Sequence, residues 1–219
     1  MKRNLILGGA QLGNGYGKFV HIPKMSPENI CKILESAKLR GVFEIDLAQD
    51  YVGAVDNIAI SNMSSQFIFS TKIKYSVDSQ NDIISKLIAQ LKVLQVERFR
   101  TILIHNWSSI GQEERIKSVK FLKSLVSLGL CEGVGVSIYE IEEIDFGTWI
   151  PDCVQAPLNF YNRNFLHIFS RNFHNFQSNF WHLCIYLHIV CMPLNIYTCR
   201  WCMSNTLDIF YRMYHNVTR

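Results

Sequence analysis

The chain has 219 residues, of which 48% are hydrophobic and 18% charged, and its formal net charge at pH 7 is +4. This length and apolar content suffice for one domain with a sizeable core. The basic excess comes from the C-terminal part and forms no cationic stripe, which excludes nucleic acid as a partner. The N-terminal apolar run is too short for a signal peptide or transmembrane segment. Since the cysteines of residues 1–165 are also scattered singly, we expect a cytoplasmic protein.

The chain begins with a predicted strand over residues 5–7, followed by a glycine-rich loop over residues 8–17. The spacing of these glycines is not the dinucleotide fingerprint, so a Rossmann fold is rejected. A helix is predicted from Pro27, because Ser26 can cap its first turn, and Gly41 is expected to end it. The first unit is therefore strand, loop and helix.

Three further apolar runs are predicted strands that end in polar side chains. These runs cover residues 43–46, 67–72 and 101–105. They end in Asp46, Lys72 and His105, and Tyr51 follows Asp46 in the next loop. Because parallel strands carry their functional groups at the carboxyl edge of the sheet, these four side chains are expected on one rim. Taken singly, each has a plainer reading, such as a capping acid for Asp46 or a packed loop aromatic for Tyr51.

Helical spacing of apolar residues recurs between these strands. Helices are predicted near residues 54–61, 79–94 and 112–128, and later strands at 133–137 and 153–156. We expect the last helix to bury Ile116, Val119, Leu122, Val126 and Leu128. Regular alternation of apolar strands and helices predicts an α/β fold of the parallel (β/α)8 TIM-barrel type, incomplete, with about six βα units.

Six segments of this chain, in order and spacing, match one known family. They are residues 7–13, residues 41–46 with Ala48 and Tyr51, residues 70–72, residues 103–106, residues 133–137, and Val154-Gln155 with Asn159 and Arg163. On these segments, residues 1 to about 165 resemble the N-terminal two-thirds of an aldo-keto reductase. The resemblance implies reduction of a small-molecule aldehyde or ketone by a bound nicotinamide cofactor, NADPH with NADH as the alternative.

The resemblance also implies catalytic roles for four residues. Tyr51 would be the general acid that protonates the carbonyl oxygen, and a free phenol has a pKa near about 10. Lys72, paired with Asp46, would supply a positive charge that favours the phenolate. His105 would orient the carbonyl or assist the proton transfer.

Five residues would bind the cofactor by the same resemblance. They are Gly9, Ala10, Asp46, Ser137 and Gln155. Ser137 and Gln155 would hydrogen-bond the nicotinamide carboxamide and so fix which ring face meets the substrate.

Composition changes abruptly after Phe165. Residues 166–219 contain no glycine, alanine, lysine or glutamate, but four of the seven cysteines and five of the seven histidines. We therefore divide the chain into a partial barrel at 1–165 and an atypical aromatic-, Cys- and His-rich tail at 166–219, interpreted as an out-of-frame or divergent ending. Apolar residues at helical spacing from Phe169 to Leu187 predict a helix in the tail. Its one CxxC, Cys199 to Cys202, is too weak a pattern for a metal site.

A barrel that ends after six strands has consequences for assembly and activity. We expect an unpaired sheet edge and self-association through it. The predicted function is that of an NAD(P)H-dependent oxidoreductase. The alternatives are a truncated, inactive reductase remnant and a non-catalytic nicotinamide-binding or scaffold protein.

Overall fold

The computed structural model describes residues 4–14, 25–143, 149–157, 184–188 and 198–202. Within these ranges, eight strands form a closed barrel in chain order. The strands are β1 (Asn4–Gly8), β2 (Glu44–Asp46), β3 (Ile68–Ile73), β4 (Phe99–Ile104), β5 (Cys131–Ser137), β6 (Cys153–Gln155), β7 (Cys184–His188) and β8 (Thr198–Cys202). The α-helices are α1 (Pro27–Leu39), α2 (Ala54–Ile60), α3 (Gln80–Leu94) and α4 (Gln112–Ser127). None of the described helices is long and apolar enough to cross a membrane.

The first six strands run parallel to their sequence neighbours, and α1 to α4 connect the first five of them. This confirms the predicted α/β fold of the incomplete (β/α)8 barrel type. β7 runs parallel to β6, whereas β8 runs antiparallel to both β7 and β1. The last strand therefore closes the ring in the opposite direction from that of a fully parallel barrel.

Two expectations about the tail differ from the structure. The helix predicted up to Leu187 is wrong at Cys184–His188, which is a strand; its remainder lies outside the described residues, as do Asn159 and Arg163. A short apolar run is compatible with a helix or a strand. The strand forms here because its pairing with β6 satisfies the backbone groups at the edge of β6. The unpaired edge is also wrong, since β7 covers β6 and β8 covers β1. Self-association stays a prediction, but it is no longer supported by an unpaired sheet edge.

Helix α1 begins and ends as its sequence indicates. Ser26 Oγ accepts a hydrogen bond from Asn29 N at 3.3 Å, and Pro27 occupies the first turn. Gly41, at φ +74°, adopts the left-handed conformation that other residues rarely tolerate, and the chain turns there into β2. The end of α1 therefore determines where β2 begins, and with it the position of Asp46 at the end of β2.

The main core lies between the barrel and the helices. Helix α3 buries Ile83, Leu87, Leu91 and Leu94. Helix α4 instead buries Ser118, Phe121, Leu122 and Leu125, and leaves the predicted Ile116, Val126 and Leu128 exposed. The observed set follows a spacing of three and four residues, which keeps one face toward the barrel, whereas the predicted set drifts around the helix.

The barrel interior combines a small apolar cluster with polar side chains. Ile6, Leu103 and Cys153 form this cluster, and they come from strands that are not neighbours. Beside it, Thr101 Oγ1 donates to Ser70 Oγ at 2.9 Å, and Ser70 Oγ donates to Glu44 Oε1 at 2.8 Å. These bonds satisfy polar groups in the interior layer, whereas the site residues lie at the carboxyl ends of the strands.

Candidate active site

A tight turn after β2 brings Tyr51 back over the sheet. Leu47 N donates to Ser70 O at 2.8 Å, and Gln49 N donates to Lys72 O at 3.0 Å, so the turn is hydrogen-bonded along the end of β3. Tyr51 is buried in the main core cluster. The backbone thus places a phenol against the carboxyl ends of β2 and β3.

A buried ion pair forms the centre of the site. Lys72 Nζ lies 2.5 Å from Asp46 Oδ2, and both side chains are only 2% exposed. The same ammonium lies over the Tyr51 ring, 5.2 Å from the ring centroid, within the range of a cation–π contact. A charge this deeply buried needs a partner, and Asp46 provides one for Lys72 beside the phenol.

Gln155 joins this pair from across the barrel. Its Nε2 donates to Asp46 Oδ2 at 3.1 Å, and the strand register sets Ser137 beside Gln155 at the same sheet end. Asp46 Oδ1 is buried and has no hydrogen-bond partner among the described residues. Since buried carboxylate oxygens are normally hydrogen-bonded, Oδ1 is a vacant acceptor beside the ion pair.

His105 follows β4 directly, one residue beyond the strand that was expected to contain it. Its backbone N donates to Ile73 O at 2.8 Å, and its Nδ1 lies 3.5 Å from Asp50 Oδ2. Burial, and next the charge of Lys72, lower the pKa of His105 below its ordinary value of 6.5, while Asp50 and Asp46 oppose that shift. The imidazole is therefore neutral at neutral pH.

Gly9 and Ala10 lie in the 3-10 turn Gly9–Leu12, directly after β1. A Cβ on Gly9 would lie 2.7 Å from Leu47 Cδ2 and 2.8 Å from Asp46 O. Glycine is thus needed there so that the turn can pack against the end of β2. The close approach brings both residues to the edge of the site.

A second group of contacts joins two loops above the sheet. Arg115 donates from Nη1 to Glu143 O and from Nη2 to Trp107 O, each at 3.2 Å. Trp107 Nε1 also donates to Glu143 O at 2.7 Å, and the guanidinium carbon lies 4.9 Å from the Trp107 ring. Arg115 therefore fixes the loop that follows His105 to the turn that follows Ser137.

The structure places the predicted Lys72 and Gln155 on the Asp46 carboxylate and sets the Lys72 ammonium over the Tyr51 ring. It places His105 within range of these charges. Sequence reasoning missed Asp50, Lys74 and Arg115. For the first two a signal existed, because Asp50 directly precedes Tyr51 and Lys74 is two residues beyond Lys72. Arg115 carried no such signal, since its partners are backbone carbonyls of distant loops.

Fold and site together define an α/β-barrel protein with its polar groups at the carboxyl ends of the strands. The sequence profile of the aldo/keto reductase family matches residues 4–174. The chain belongs to this family of nicotinamide-dependent oxidoreductases. The match runs past the predicted boundary at 165.

Solved structures share the fold at low sequence identity. A Pseudomonas aeruginosa protein assigned to the aldo-keto reductases has a TM-score of 0.63 and 18% identity, over 77% of this chain and 68% of its own. A Bombyx mori aldo-keto reductase in complex with NADP has a TM-score of 0.60 and 16% identity, over 84% and 61%. The glycerol dehydrogenase of Gluconobacter oxydans has a TM-score of 0.60 and 18% identity, over 83% and 58%. The chain thus spans under two thirds of the latter two proteins. A search of curated proteins gave no match.

Proposed function

We propose that this chain is an NAD(P)H-dependent reductase that converts an aldehyde or ketone to an alcohol, with Tyr51 as the general acid. The observation that carries the proposal is the buried Lys72–Asp46 pair at 2.5 Å, with the ammonium 5.2 Å from the Tyr51 ring centroid. A tyrosine that serves only packing gains nothing from a buried ammonium beside its ring. A tyrosine that donates a proton does gain, because the ammonium stabilises the phenolate. This arrangement suits proton donation by a phenol.

The proton step follows from the charges around the phenol. Tyr51 would give its hydroxyl proton to the carbonyl oxygen as that oxygen gains negative charge. A free phenol has a pKa of about 10, so it is a poor proton donor at neutral pH. The ammonium of Lys72 stabilises the phenolate that is left behind, and Asp46 keeps that ammonium in place.

His105 would supply the second polar contact at the reacting group of the substrate. Because its pKa is lowered, chiefly by burial, the ring is neutral at neutral pH and adds no positive charge next to Lys72. A neutral imidazole has one donor and one acceptor nitrogen, so it donates to a carbonyl or accepts from a hydroxyl according to which nitrogen faces the substrate, and it does not compete with Tyr51 as the main acid. Substrate orientation is therefore the role that we assign to it.

The residues present fit a nicotinamide cofactor, NADPH with NADH as the alternative donor. Asp46 Oδ1 is a buried acceptor that lacks a partner among the described residues, as expected for a group that meets a ligand hydroxyl. Gly9, Ala10, Ser137 and Gln155 lie at the same edge and would complete the contacts. When bound, the cofactor supplies the hydride for the carbonyl carbon. The NADP complex of the Bombyx mori protein supports this choice.

The test combines binding with turnover. NADPH would be titrated into the purified full chain while tryptophan fluorescence is followed, and NADPH oxidation would be measured with a panel of aldehydes and ketones. Tyr51→Phe should bind NADPH as the wild type does and lose about 100-fold or more in kcat. The matched control is Tyr75→Phe, which removes a buried hydroxyl that accepts from Gln80 Nε2 at 3.0 Å, outside the site.

Three outcomes separate the candidate functions. Turnover that depends on Tyr51 supports the reductase. Saturable NADPH binding without turnover favours the non-catalytic nicotinamide-binding protein. A folded chain that neither binds nor turns over NADPH is the inactive remnant.

The division at residue 165 and the out-of-frame origin of the tail remain proposals. They are supported by the loss of glycine, alanine, lysine and glutamate after Phe165. Sequencing of the encoding DNA tests them. Codons for further barrel strands in a shifted frame would support the frameshift, and their absence from every downstream frame would contradict it.

A further inference from the structure

Asp50 is a charged residue beside the site to which the proposed reaction assigns no role. Its Oδ2 lies 3.5 Å from His105 Nδ1 and 2.9 Å from Lys74 Nζ. It occupies the turn between β2 and α2, one residue before Tyr51. One carboxylate thus connects the turn that carries the proposed acid with the imidazole at the end of β4.

The two partners of Asp50 differ in how firmly they can hold it. Lys74 is 61% exposed, so solvent strongly screens its ion pair with Asp50. His105 is only 16% exposed, so solvent screens its interaction with Asp50 much less. Nδ1 is also the only ring nitrogen of His105 with a polar partner among the described residues.

We propose that Asp50 is a positioning residue for His105: its carboxylate faces Nδ1, selects the tautomer with the proton on Nδ1, and leaves Nε2 for the substrate oxygen. The identity of the Nε2 partner as a substrate rests on the proposed function. The tautomer itself depends only on the contact between Asp50 and His105. In a neutral imidazole one nitrogen donates and the other accepts, so an acceptor at Nδ1 determines what Nε2 can do.

The position of the proton on the ring determines the kind of contact that Nε2 makes. With the proton on Nδ1, the neutral ring presents Nε2 as an acceptor, which suits a hydroxyl group such as that of an alcohol. After protonation of the ring, Nε2 becomes a donor, which suits a carbonyl oxygen. Asp50 would thus make the contact from His105 change with the protonation state of the ring.

Four charged groups act on His105 and must be considered together. Lys72 and Lys74 disfavour the imidazolium, whereas Asp50 and Asp46 favour it. Removal of the Asp50 charge should therefore lower the pKa of His105 further. Removal of the Lys74 charge should raise it.

The test is NMR of the full chain with nitrogen-labelled histidine, which distinguishes the two neutral tautomers by the shifts of the ring nitrogens. A His105→Gln variant assigns the signal among the seven histidines. We expect the Nδ1–H form in the wild type and a shift toward the Nε2–H form in Asp50→Ala. Asp50→Asn keeps an acceptor oxygen, so it should retain the tautomer while the pKa falls, and Lys74→Gln should move the pKa the other way.

An unchanged tautomer in Asp50→Ala, or a wild-type ring protonated on Nε2, would overturn the proposal. This readout needs neither cofactor nor turnover, so its failure is separate from failure of the reductase assignment. If the chain is active, Asp50→Ala should also lose about tenfold in kcat and change its pH profile, with Asp50→Asn between it and the wild type.

Discussion

Gln155 Nε2 and Lys72 Nζ both donate to Oδ2 of Asp46, at 3.1 Å and 2.5 Å, whereas Oδ1 of the same carboxylate has no partner among the described residues. Gln155 comes from β6 and Asp46 from β2, so this hydrogen bond crosses the barrel. The arrangement gives Gln155 a structural role before any ligand is considered. It also ties a proposed cofactor contact to the proposed catalytic pair.

The first prediction concerns Gln155. Gln155→Leu keeps a similar volume but removes one of the two donors to a buried carboxylate. Because hydrogen bonds to charged groups contribute about 1.5–3 kcal/mol, we expect the free energy of unfolding to fall by about that amount in urea titrations. Gln66→Leu is the control, since the exposed Gln66 accepts from Lys38 and should change stability by no more than about 0.5 kcal/mol. Equal effects of the two substitutions would contradict the bond across the barrel.

The second prediction concerns the buried ion pair. Lys72→Met leaves Asp46 as a buried charge without its cation, and loss of one partner of such a pair costs about 3–5 kcal/mol of unfolding free energy. Lys86→Met breaks an exposed pair with Asp82, one helical turn away, and should cost no more than about 0.5 kcal/mol. Urea unfolding followed by circular dichroism measures both variants. Similar losses would mean that the Lys72–Asp46 pair is far better solvated than its 2% exposure indicates.

The third prediction concerns pH. The pKa of His105 is lowered below 6.5, mainly by burial. Just below about pH 6.5, His105 is therefore protonated in the unfolded chain but still neutral in the folded chain. The associated stability is present above that pH and is lost as the pH falls. His105→Gln lacks this titration, so its unfolding free energy should decline less between about pH 7.5 and about pH 5.5.

The difference in slope between wild type and His105→Gln is the quantity to measure, because other histidines titrate in both proteins. Urea unfolding at the two pH values, with the m-value checked for constancy, supplies it. Parallel slopes would mean that the pKa of His105 is not lowered on folding. A steeper decline in the variant would mean that the shift has the opposite sign.

Much of this architecture could be predicted from the sequence, because strands and helices alternate and three of the predicted strands end in Asp46, Lys72 or His105. Asp46, Lys72 and Tyr51 were found in this way, and the structure brings them into contact. The α4 face could not be predicted correctly, because Ser118 is buried there and Ile116 is exposed. Hydropathy alone does not reveal which side of an apolar-rich helix meets the barrel.

The remaining errors have the same origin in tertiary context. A run such as Cys184–His188 is compatible with helix or strand until the edge of β6 is present to pair with it. The Gln155–Asp46 bond and the Asp50–His105 approach join residues far apart in the chain, and no local pattern marks them. Closure of the sheet creates these contacts, so they are properties of the barrel and not of any single element.

The last prediction concerns Gly135, where β5 passes closest to β6. A Cβ added there would overlap the carbonyl oxygen of Cys153 and lie 2.7 Å from its carbonyl carbon, and neither atom can move without shifting β6. Overpacking in well-packed cores typically costs about 1–3 kcal/mol, and the clash here is with backbone atoms, so Gly135→Ala should lose about 3 kcal/mol of unfolding free energy in urea titrations. Gly111→Ala is the control, because a Cβ there meets nothing within 4 Å and should cost no more than about 1 kcal/mol. A Gly135→Ala protein as stable as the control would mean that β5 and β6 are not paired in the register of Gly135 with Cys153, and the position of Gln155 beside Asp46 would have to be revised with it.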